Sequence, residues 1–336
     1  MDSFVLYRFP HQKQYTKIEG SATILQHYSD LGSCRGFAVA PFSISKECPL
    51  VLIVPQHIYI SKVEHTGNSQ PVHPDTVKND KAAYMKDFSA FHEKLSQGVF
   101  KKIVLARTAD ITTDTSTEQL FMQACNLYPR LFIALVSTPV TGTWLTATPE
   151  ILIDNDGHNC HTMALAGTMK VGDIKWSDKN IEEQRVVAQY IANCISAYTD
   201  NSHEEGPYSV RAGQVTHLRS DFTFQLKDKK DFGKIIAQLH PTPAVCGLPK
   251  DETYRFIQDV ESIDRRYYSG FMGPVDIDGE THLYVTLRCM SIHNGHCRLY
   301  AGGGLLKESE AESEWLETET KMETMKRTIY AQQIGI

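Results

Sequence analysis

The sequence predicts a mixed α+β fold in which two blocks of antiparallel strands are separated by helices. Apolar and polar residues alternate over residues 211–226 and again over residues 267–300, a pattern typical of strands with one buried face. Inside the second block, the dipeptides Asp278-Gly279 and Asn294-Gly295 favour two-residue hairpin turns. Elsewhere the apolar residues recur every three or four positions, which indicates amphipathic helices.

Length and composition are those of an ordinary globular protein and exclude several classes. The chain has 336 residues, of which 41% are hydrophobic and 22% charged. Its formal net charge of -6 argues against nucleic acid as a partner, because phosphate contacts need a concentrated basic face. No apolar run is long enough to span a membrane, and the N-terminus lacks a signal-peptide pattern. The 8 cysteines form no CxxC pair, so we expect a monomeric cytoplasmic protein with reduced thiols and no membrane contact.

The N-terminal part is expected to form antiparallel strands without a chemical role. Short apolar runs at residues 37–42 and 50–55 are broken by Gly and Pro. The segment GNSQPVHPD, residues 67–75, is rich in turn-forming residues and is the best candidate for an internal boundary.

Three further helices are predicted from helical periodicity, at residues 80–98, 232–239 and 251–260. The segment HPTPAVCGLP, residues 240–249, lies between the last two and is expected to be a loop. The first helix places four apolar residues on one face: Tyr84, Phe88, Phe91 and Leu95.

A lysine begins the strand predicted at residues 101–107. Alternation along this strand places Lys102, Val104 and Ala106 on one face. Lys102 either extends its ammonium group to solvent or is desolvated, which would lower its pKa and make it usable as a general base.

A glutamate interrupts the second strand of a hairpin predicted at residues 131–136 and 142–153. Glu150 follows a proline and precedes three apolar residues. Its carboxyl group lies either in water at the end of the strand or in a pocket that raises its pKa. The following sequence ALAGT, residues 164–168, suits a close approach of backbone to ligand.

The helix predicted at residues 178–198 carries an acidic residue on its apolar stripe. Glu183 lies three, four, seven and eight residues before members of that stripe, whereas Glu182 projects with polar residues and is expected in solvent. A carboxylate on the buried side of a helix needs a partner, either the helix dipole or a cation.

The C-terminal stretch AGGGLLKESEAESEWLETETKMETM, residues 301–325, opens with three glycines and continues as an acidic helix. Ser309 and Glu312 have the spacing of a capping box. The glycines and the helix N-terminus suit an anion, and carboxylates one turn apart suit a cation such as Mg²⁺. The alternative is a solvated acidic helix after a glycine turn. Four residues share the face in question: Glu310, Glu314, Glu317 and Lys321.

Together these segments resemble the chorismate-utilising enzymes, which include isochorismate, salicylate, anthranilate and aminodeoxychorismate synthases. The resemblance covers roughly residues 80–330. It is carried by KKIVLAR, TPEILI, LAGT, the helix with EEQ, HPTPAVCGLPK, YYSGFMGPVD, LRC and LYAGGGLLKESEAESEWLETETK, in this order. It implies two stacked antiparallel sheets flanked by helices, as in anthranilate synthase component I. Residues 76–336 would form the catalytic region, and residues 1–75 an N-terminal β-rich part of the same fold.

The resemblance also implies a site that binds chorismate and Mg²⁺. Lys102 matches the lysine that activates water, and Glu150 the acid that protonates the departing hydroxyl group. The implied metal ligands are Glu183 and Glu317, with Glu314 close by. The positions that would line the chorismate pocket are Gly167, Thr168, His217, Ala244, Tyr268, Arg288, Gly302 and Lys321.

Within the family, the chain is most similar to the isochorismate synthases. Lys102 favours water over ammonia as the nucleophile, and HPTPAVCG is the form of that loop typical of this branch. Isochorismate feeds menaquinone and catechol siderophore biosynthesis. The alternatives are a salicylate synthase, in which a threonine usually stands in place of Ala244, and a non-catalytic chorismate-binding subunit. The chain departs from the family pattern at Gln184, usually His, and at Met169, usually Arg.

Overall fold

A computed structural model describes residues 3–64, 78–170, 175–212 and 215–331. Over these residues the fold is a mixture of helices and antiparallel strands, as the sequence predicts. The predicted loop at residues 67–75 lies outside the described residues, so the boundary there stays a prediction.

The described residues form seventeen strands. They are β1 (Ser3–Arg8), β2 (Gln14–Leu25), β3 (Gly36–Ala40), β4 (Leu50–Lys62), β5 (Lys78–Asn79), β6 (Lys102–Thr112), β7 (Phe132–Thr138), β8 (Gly142–Thr148), β9 (Ile151–Asn155), β10 (Cys160–Lys170), β11 (Ser202–Ala212), β12 (Val215–Phe224), β13 (Gly247–Leu248), β14 (Phe271–Val275), β15 (Thr281–Val285), β16 (Cys289–His293) and β17 (His296–Leu305).

Six α-helices accompany them, and two short 3₁₀ helices lie at Tyr28–Ser33 and Lys229–Asp231. Five of the six helices confirm the predicted segments, whereas the second lies at a place where the sequence predicts none. The helices are α1 (Lys81–Ser96), α2 (Thr117–Leu127), α3 (Asp178–Ser196), α4 (Phe232–Leu239), α5 (Lys250–Val260) and α6 (Ala311–Tyr330).

The strands pair antiparallel throughout and form two halves joined by one continuous ladder. In the first half the order is β6, β17, β16, β8, β7, β1 and β2. In the second half it is β4, β3, β14, β15, β9, β10, β12 and β11. The long hairpin of β2 and β4 connects them. The two stacked sheets that the resemblance predicts are thus the two halves of one continuous ladder.

The inner faces of the two halves pack against each other and form the central core. Phe132 on β7 stacks on Tyr284 on β15, with ring centroids 4.1 Å apart and planes inclined by 1°. Because β7 belongs to the first half and β15 to the second, this stacking links the two layers of a sandwich. Trp144 on β8 and Met272 on β14 belong to the same buried cluster.

Helices cover the outer faces and complete the layers. Buried residues of α3 and α4, such as Ile191 and Ile236, pack on the second half. Buried residues of α2 and α6, such as Phe121 and Met322, pack on the first half. No helix among the described residues is long and apolar enough to cross a membrane.

The capping box predicted at the start of the last helix is wrong. Helix α6 begins at Ala311 with Glu310 as its N-cap, and no side chain caps it. The Ser309 hydroxyl instead accepts a hydrogen bond from Leu306 N at 3.0 Å. Glu312 pairs with Lys81 of α1 at 2.7 Å, so both side chains have partners outside a capping box.

Candidate active site

A cavity lies where β6 and β17 of the first half meet β10 and β12 of the second. It brings together residues that are distant in sequence. Glu314 is buried beside the cavity and does not line it, and the side chain of Thr168 lies outside the described part of the structure. The predicted site residues that line the cavity are Lys102, Glu150, Gly167, Glu183, His217, Ala244, Tyr268, Arg288, Gly302, Glu317 and Lys321.

Lys102 is the first residue of β6, and its side chain is held inside the protein. Only 1% of the residue is exposed, so the alternative that it extends into solvent is wrong. Its Nζ lies 2.8 Å from Oε1 of Glu183. Apart from this ion pair, Nζ has no hydrogen-bond partner among the described residues. A buried amine with unused hydrogen-bonding capacity beside a cavity is suited to act on a bound water or substrate.

Glu150 lies in the connection between β8 and β9, directly after Pro149. Its backbone is fixed because its carbonyl oxygen accepts a hydrogen bond from Val285 N at 2.9 Å. The residue is 3% exposed, so the alternative of a carboxylate in water is wrong. Burial raises the pKa of Glu150 to about 7, against the opposing effect of the positive charges of Lys102 and Arg288. Near neutral pH a large fraction of Glu150 therefore holds its proton, as a general acid requires.

His217 and Arg288 form a second buried pair in the cavity. Burial, with the nearby positive charges of Arg288 and Lys321, lowers the pKa of His217 to about 3, so the imidazole is neutral. Nδ1 lies 2.9 Å from the carbonyl oxygen of Gly167, an acceptor, so Nδ1 carries the proton. Nε2 therefore accepts a hydrogen bond from Nη2 of Arg288, 3.0 Å away. This contact fixes one side of the guanidinium and leaves other donors for an anionic ligand.

The glycine run at residues 302–304 belongs to strand β17 and not to a turn. It pairs with β6 in antiparallel register, and residues 306–310 separate it from α6. The glycine turn assumed in the alternative interpretation is therefore wrong, and the anion pocket expected at this stretch stays a prediction. The glycines are needed for clearance: a Cβ on Gly304 would lie 2.5 Å from Oε1 of Glu183, and one on Gly303 would lie 3.2 Å from Oε2 of Glu314.

Helix α6 brings acidic side chains to the same strand. Glu314 is 2% exposed, so the alternative of a solvated acidic helix is wrong at this position. Glu317 lines the cavity, and its Oε1 lies 2.7 Å from Nζ of Lys321, one turn later. Lys321 also donates a hydrogen bond to the carbonyl oxygen of Gly302 at 2.9 Å, which ties α6 to β17. Glu310 occupies the N-cap position without a capping hydrogen bond, and its side chain is exposed.

The carboxylates around the glycine strand fit a hard cation. Glu183, Glu314 and Glu317 supply only oxygen donors, the type that Mg²⁺ prefers, and Mg²⁺ commonly takes one or two carboxylates together with substrate oxygens. The missing Cβ atoms of Gly303 and Gly304 make room for these groups. The described residues contain no closed set of three or more metal-binding side chains. Such a site would be completed by the substrate.

Several residues of the cavity were missed by the sequence analysis. Val245, Leu287 and Tyr300 line the cavity together with the predicted residues. Apolar side chains carry no chemical signal in a single sequence, so only their position beside charged residues identifies them.

Gln184 stands where the family pattern usually has His. Its side-chain amide donates a hydrogen bond to the carbonyl oxygen of Ala164 at 3.2 Å, behind the cavity.

Comparison with known proteins shows the family to which the chain belongs. The sequence profile described as chorismate binding enzyme matches residues 54–330. The chain is similar to the isochorismate synthase DhbC of Bacillus subtilis strain 168, with 27% identity covering 95% of this chain and 87% of that protein. The vibriobactin-specific isochorismate synthase of Vibrio cholerae is 26% identical over 96% of this chain and 86% of its own length.

A solved structure gives the same result. The crystal structure of DhbC from Bacillus anthracis superposes with a TM-score of 0.84 at 26% identity, over 98% of this chain and 97% of that one. The family profile matches well over half of the chain. The chain is therefore a member of the chorismate-binding enzyme family.

Proposed function

We propose that this protein is an isochorismate synthase that interconverts chorismate and isochorismate with the help of Mg²⁺. The observation that carries the proposal is the pairing of Glu150, whose pKa burial raises to about 7, with the buried amine of Lys102 in one cavity. An acid and a base enclosed together suit the exchange of one hydroxyl group for another. The named relatives reported above support the same reaction.

In the proposed reaction Lys102 is the general base. It accepts a proton from a water molecule as that water forms a bond to C2 of the chorismate ring. An ammonium group has no lone pair and cannot accept a proton. Lys102 therefore acts as a base only after it has lost its proton and has given up its ion pair with Glu183 for a contact with the attacking water. Its strand position fixes the amine within the cavity, which supplies the proximity that such a transfer needs.

Glu150 is the general acid in the same step. Its proton passes to the C4 hydroxyl group, the C4–O bond breaks, and the ring double bonds shift. One water enters and one water leaves, so the exchange is balanced. The reverse reaction uses the same two residues with their roles exchanged, which accounts for reversibility.

The remaining charged residues hold the substrate. Arg288 is suited to bidentate capture of the pyruvyl carboxylate, with neutral His217 fixing the guanidinium from behind. Glu183 and Glu317, with Glu314 close by, would hold Mg²⁺ at the ring carboxylate. Bound there, the ion would neutralise the carboxylate and stabilise negative charge that develops in the conjugated ring.

The direct test is incubation of the purified protein with chorismate and Mg²⁺, with an EDTA control, followed by chromatography and an enzymatic pyruvate assay. We expect a metal-dependent mixture of chorismate and isochorismate without pyruvate. Stoichiometric pyruvate with salicylate would instead identify a salicylate synthase. Conversion that begins only after ammonia is added would contradict water as the nucleophile.

Replacement of Lys102 by Ala is expected to lower kcat by about 10²- to 10⁴-fold, the usual contribution of a general base. Lys101→Ala is the matched control, because Lys101 is exposed and precedes the strand. Steady-state kinetics of both variants gives the comparison. Normal kcat in Lys102→Ala, or an equal loss of kcat in Lys101→Ala, would contradict the assignment of Lys102 as the base.

The pH profile reports on Glu150. The acid must be protonated to act, and its pKa is about 7, so conversion of chorismate should fall as the pH rises through about 7. Glu150→Gln should lose about 10²- to 10⁴-fold in kcat with the fold intact, because the amide cannot donate an acidic proton. If Glu150→Gln kept normal turnover and its rate still fell as the pH rises through about 7, a group other than Glu150 would be responsible for that fall.

Metal binding reports on Glu183. Glu183→Gln should weaken Mg²⁺ binding, measured by calorimetry in the presence of chorismate, by at least about tenfold, since even a supporting residue at a metal site costs that much. Glu182→Gln is the control, because the neighbouring side chain is exposed. Equal affinities of the wild type and Glu183→Gln would exclude Glu183 as a ligand.

A further inference from the structure

Strand β6, which carries Lys102, is paired along the whole of one edge but only at two short stretches of the other. Strand β17 pairs with β6 over residues 103–112. On the opposite edge, β13 pairs only with residues 102–103 and β5 only with residues 109–110. Between these points no strand of the described chain pairs with β6, although Val104, Leu105 and Ala106 are all buried. Buried backbone groups there need other partners.

Two side chains from the end of α5 and the segment after it fill this gap. Ala106 N donates to Oε1 of Glu261 at 2.8 Å, and the carbonyl oxygen of Val104 accepts from Nη2 of Arg265 at 2.7 Å. Glu261 and Arg265 bind each other in bidentate fashion, with N–O distances of 2.6 and 2.7 Å. Their side chains are 1% and 3% exposed. Together with the carbonyl oxygen of Cys246, which accepts a hydrogen bond from Val104 N at 2.8 Å, the ion pair takes the place of a strand along the middle of β6.

The same arginine reaches the loop that forms another wall of the cavity. Nη1 of Arg265 donates to the carbonyl oxygen of Val245 at 2.8 Å. Val245 and its neighbour Ala244 both line the cavity. The backbone carbonyl of Arg265 accepts from Tyr268 N at 2.9 Å, and Tyr268 is also a cavity residue. One guanidinium group therefore joins the strand of Lys102 to this loop.

Stability alone does not account for such a pair. Replacing a buried ion pair by apolar side chains of similar volume is often neutral or stabilising, because both charges lose their hydration. A guanidinium has donors in fixed directions, whereas an ammonium is a single point charge. The Glu261–Arg265 pair is therefore suited to hold two backbone segments at a fixed distance and orientation.

We infer that Glu261 and Arg265 are a positioning pair that fixes the strand carrying Lys102 relative to the loop carrying Ala244 and Val245. The inference rests on the proposed function, since it assigns the pair to the geometry of that same cavity. Neither residue lines the cavity, so the pair acts through the backbone atoms that it holds.

The test compares Arg265→Lys, the double variant Glu261→Leu/Arg265→Met, and Arg8→Lys as a matched control. Arg8 is also buried and donates to several backbone carbonyl oxygens, including those of Pro129 and Leu131, none of which belongs to a cavity-lining residue. Thermal unfolding, kcat and KM with chorismate, and amide hydrogen exchange would be measured for each.

We expect Arg265→Lys to lower kcat/KM by about 100-fold, the scale of a misplacement of about 1 Å. The double variant should keep the unfolding temperature of the wild type and still lose activity, with faster amide exchange at residues 104–106. Arg8→Lys should lower stability without changing kcat/KM by more than twofold. A double variant with wild-type kcat/KM, or equal losses of kcat/KM in Arg265→Lys and Arg8→Lys, would overturn the inference.

The exchange measurement separates this inference from the proposed function. If the wild type does not convert chorismate, the proposed function fails, and faster exchange in the Arg265 variants still supports the positioning role. If the wild type converts chorismate and the variants match it in both kcat/KM and exchange, only the positioning role fails.

Discussion

The pairing of β6 with β17 is the constraint on which the candidate site depends. Its register sets Gly304 beside Val104 and Gly302 beside Ala106, next to the strand position of Lys102. Because Gly303 and Gly304 lack side chains, carboxylates from α6 and α3 approach the strand from two elements that are far apart in sequence. A register shift of one residue would turn Ile103 towards the cavity in place of Lys102 and would separate base, acid and carboxylates.

Enclosure makes the charges of the cavity depend on one another. Burial favours the neutral forms of both Glu150 and His217, raising the pKa of the first to about 7 and lowering that of the second to about 3. Lys102 and Lys321 each contact one of the carboxylates proposed to bind metal, so the cavity contains compensating charges within short distances. Buried charges cost stability because they lose their hydration. Clusters of such groups with shifted pKa values are typical of functional sites.

The sequence predicts most of the elements and the principal residues, and its errors have physical causes. Periodicity located α1, α3, α4 and α5, and the hairpin turns were confirmed at Asp278-Gly279 and Asn294-Gly295. Strand β11 was missed over most of its length because it is an exposed edge strand without an apolar face. The role of the glycine run in giving clearance to carboxylates is not predictable, because a single sequence does not show that side chains from two helices converge on it. Glu261 and Arg265 were missed because their partners are backbone atoms distant in sequence.

In the proposed reaction Lys102 activates a water molecule for attack on the chorismate ring, while Glu150 protonates the departing hydroxyl group. Incubation of the protein with chorismate and Mg²⁺ in water enriched in heavy oxygen, followed by mass spectrometry, tests it most directly. We expect isochorismate that carries one heavy oxygen at C2, and label that appears at C4 of the recovered chorismate as the reaction reverses. Isochorismate formed without label would mean that the hydroxyl group migrates within the substrate, which would contradict the roles of Lys102 and Glu150.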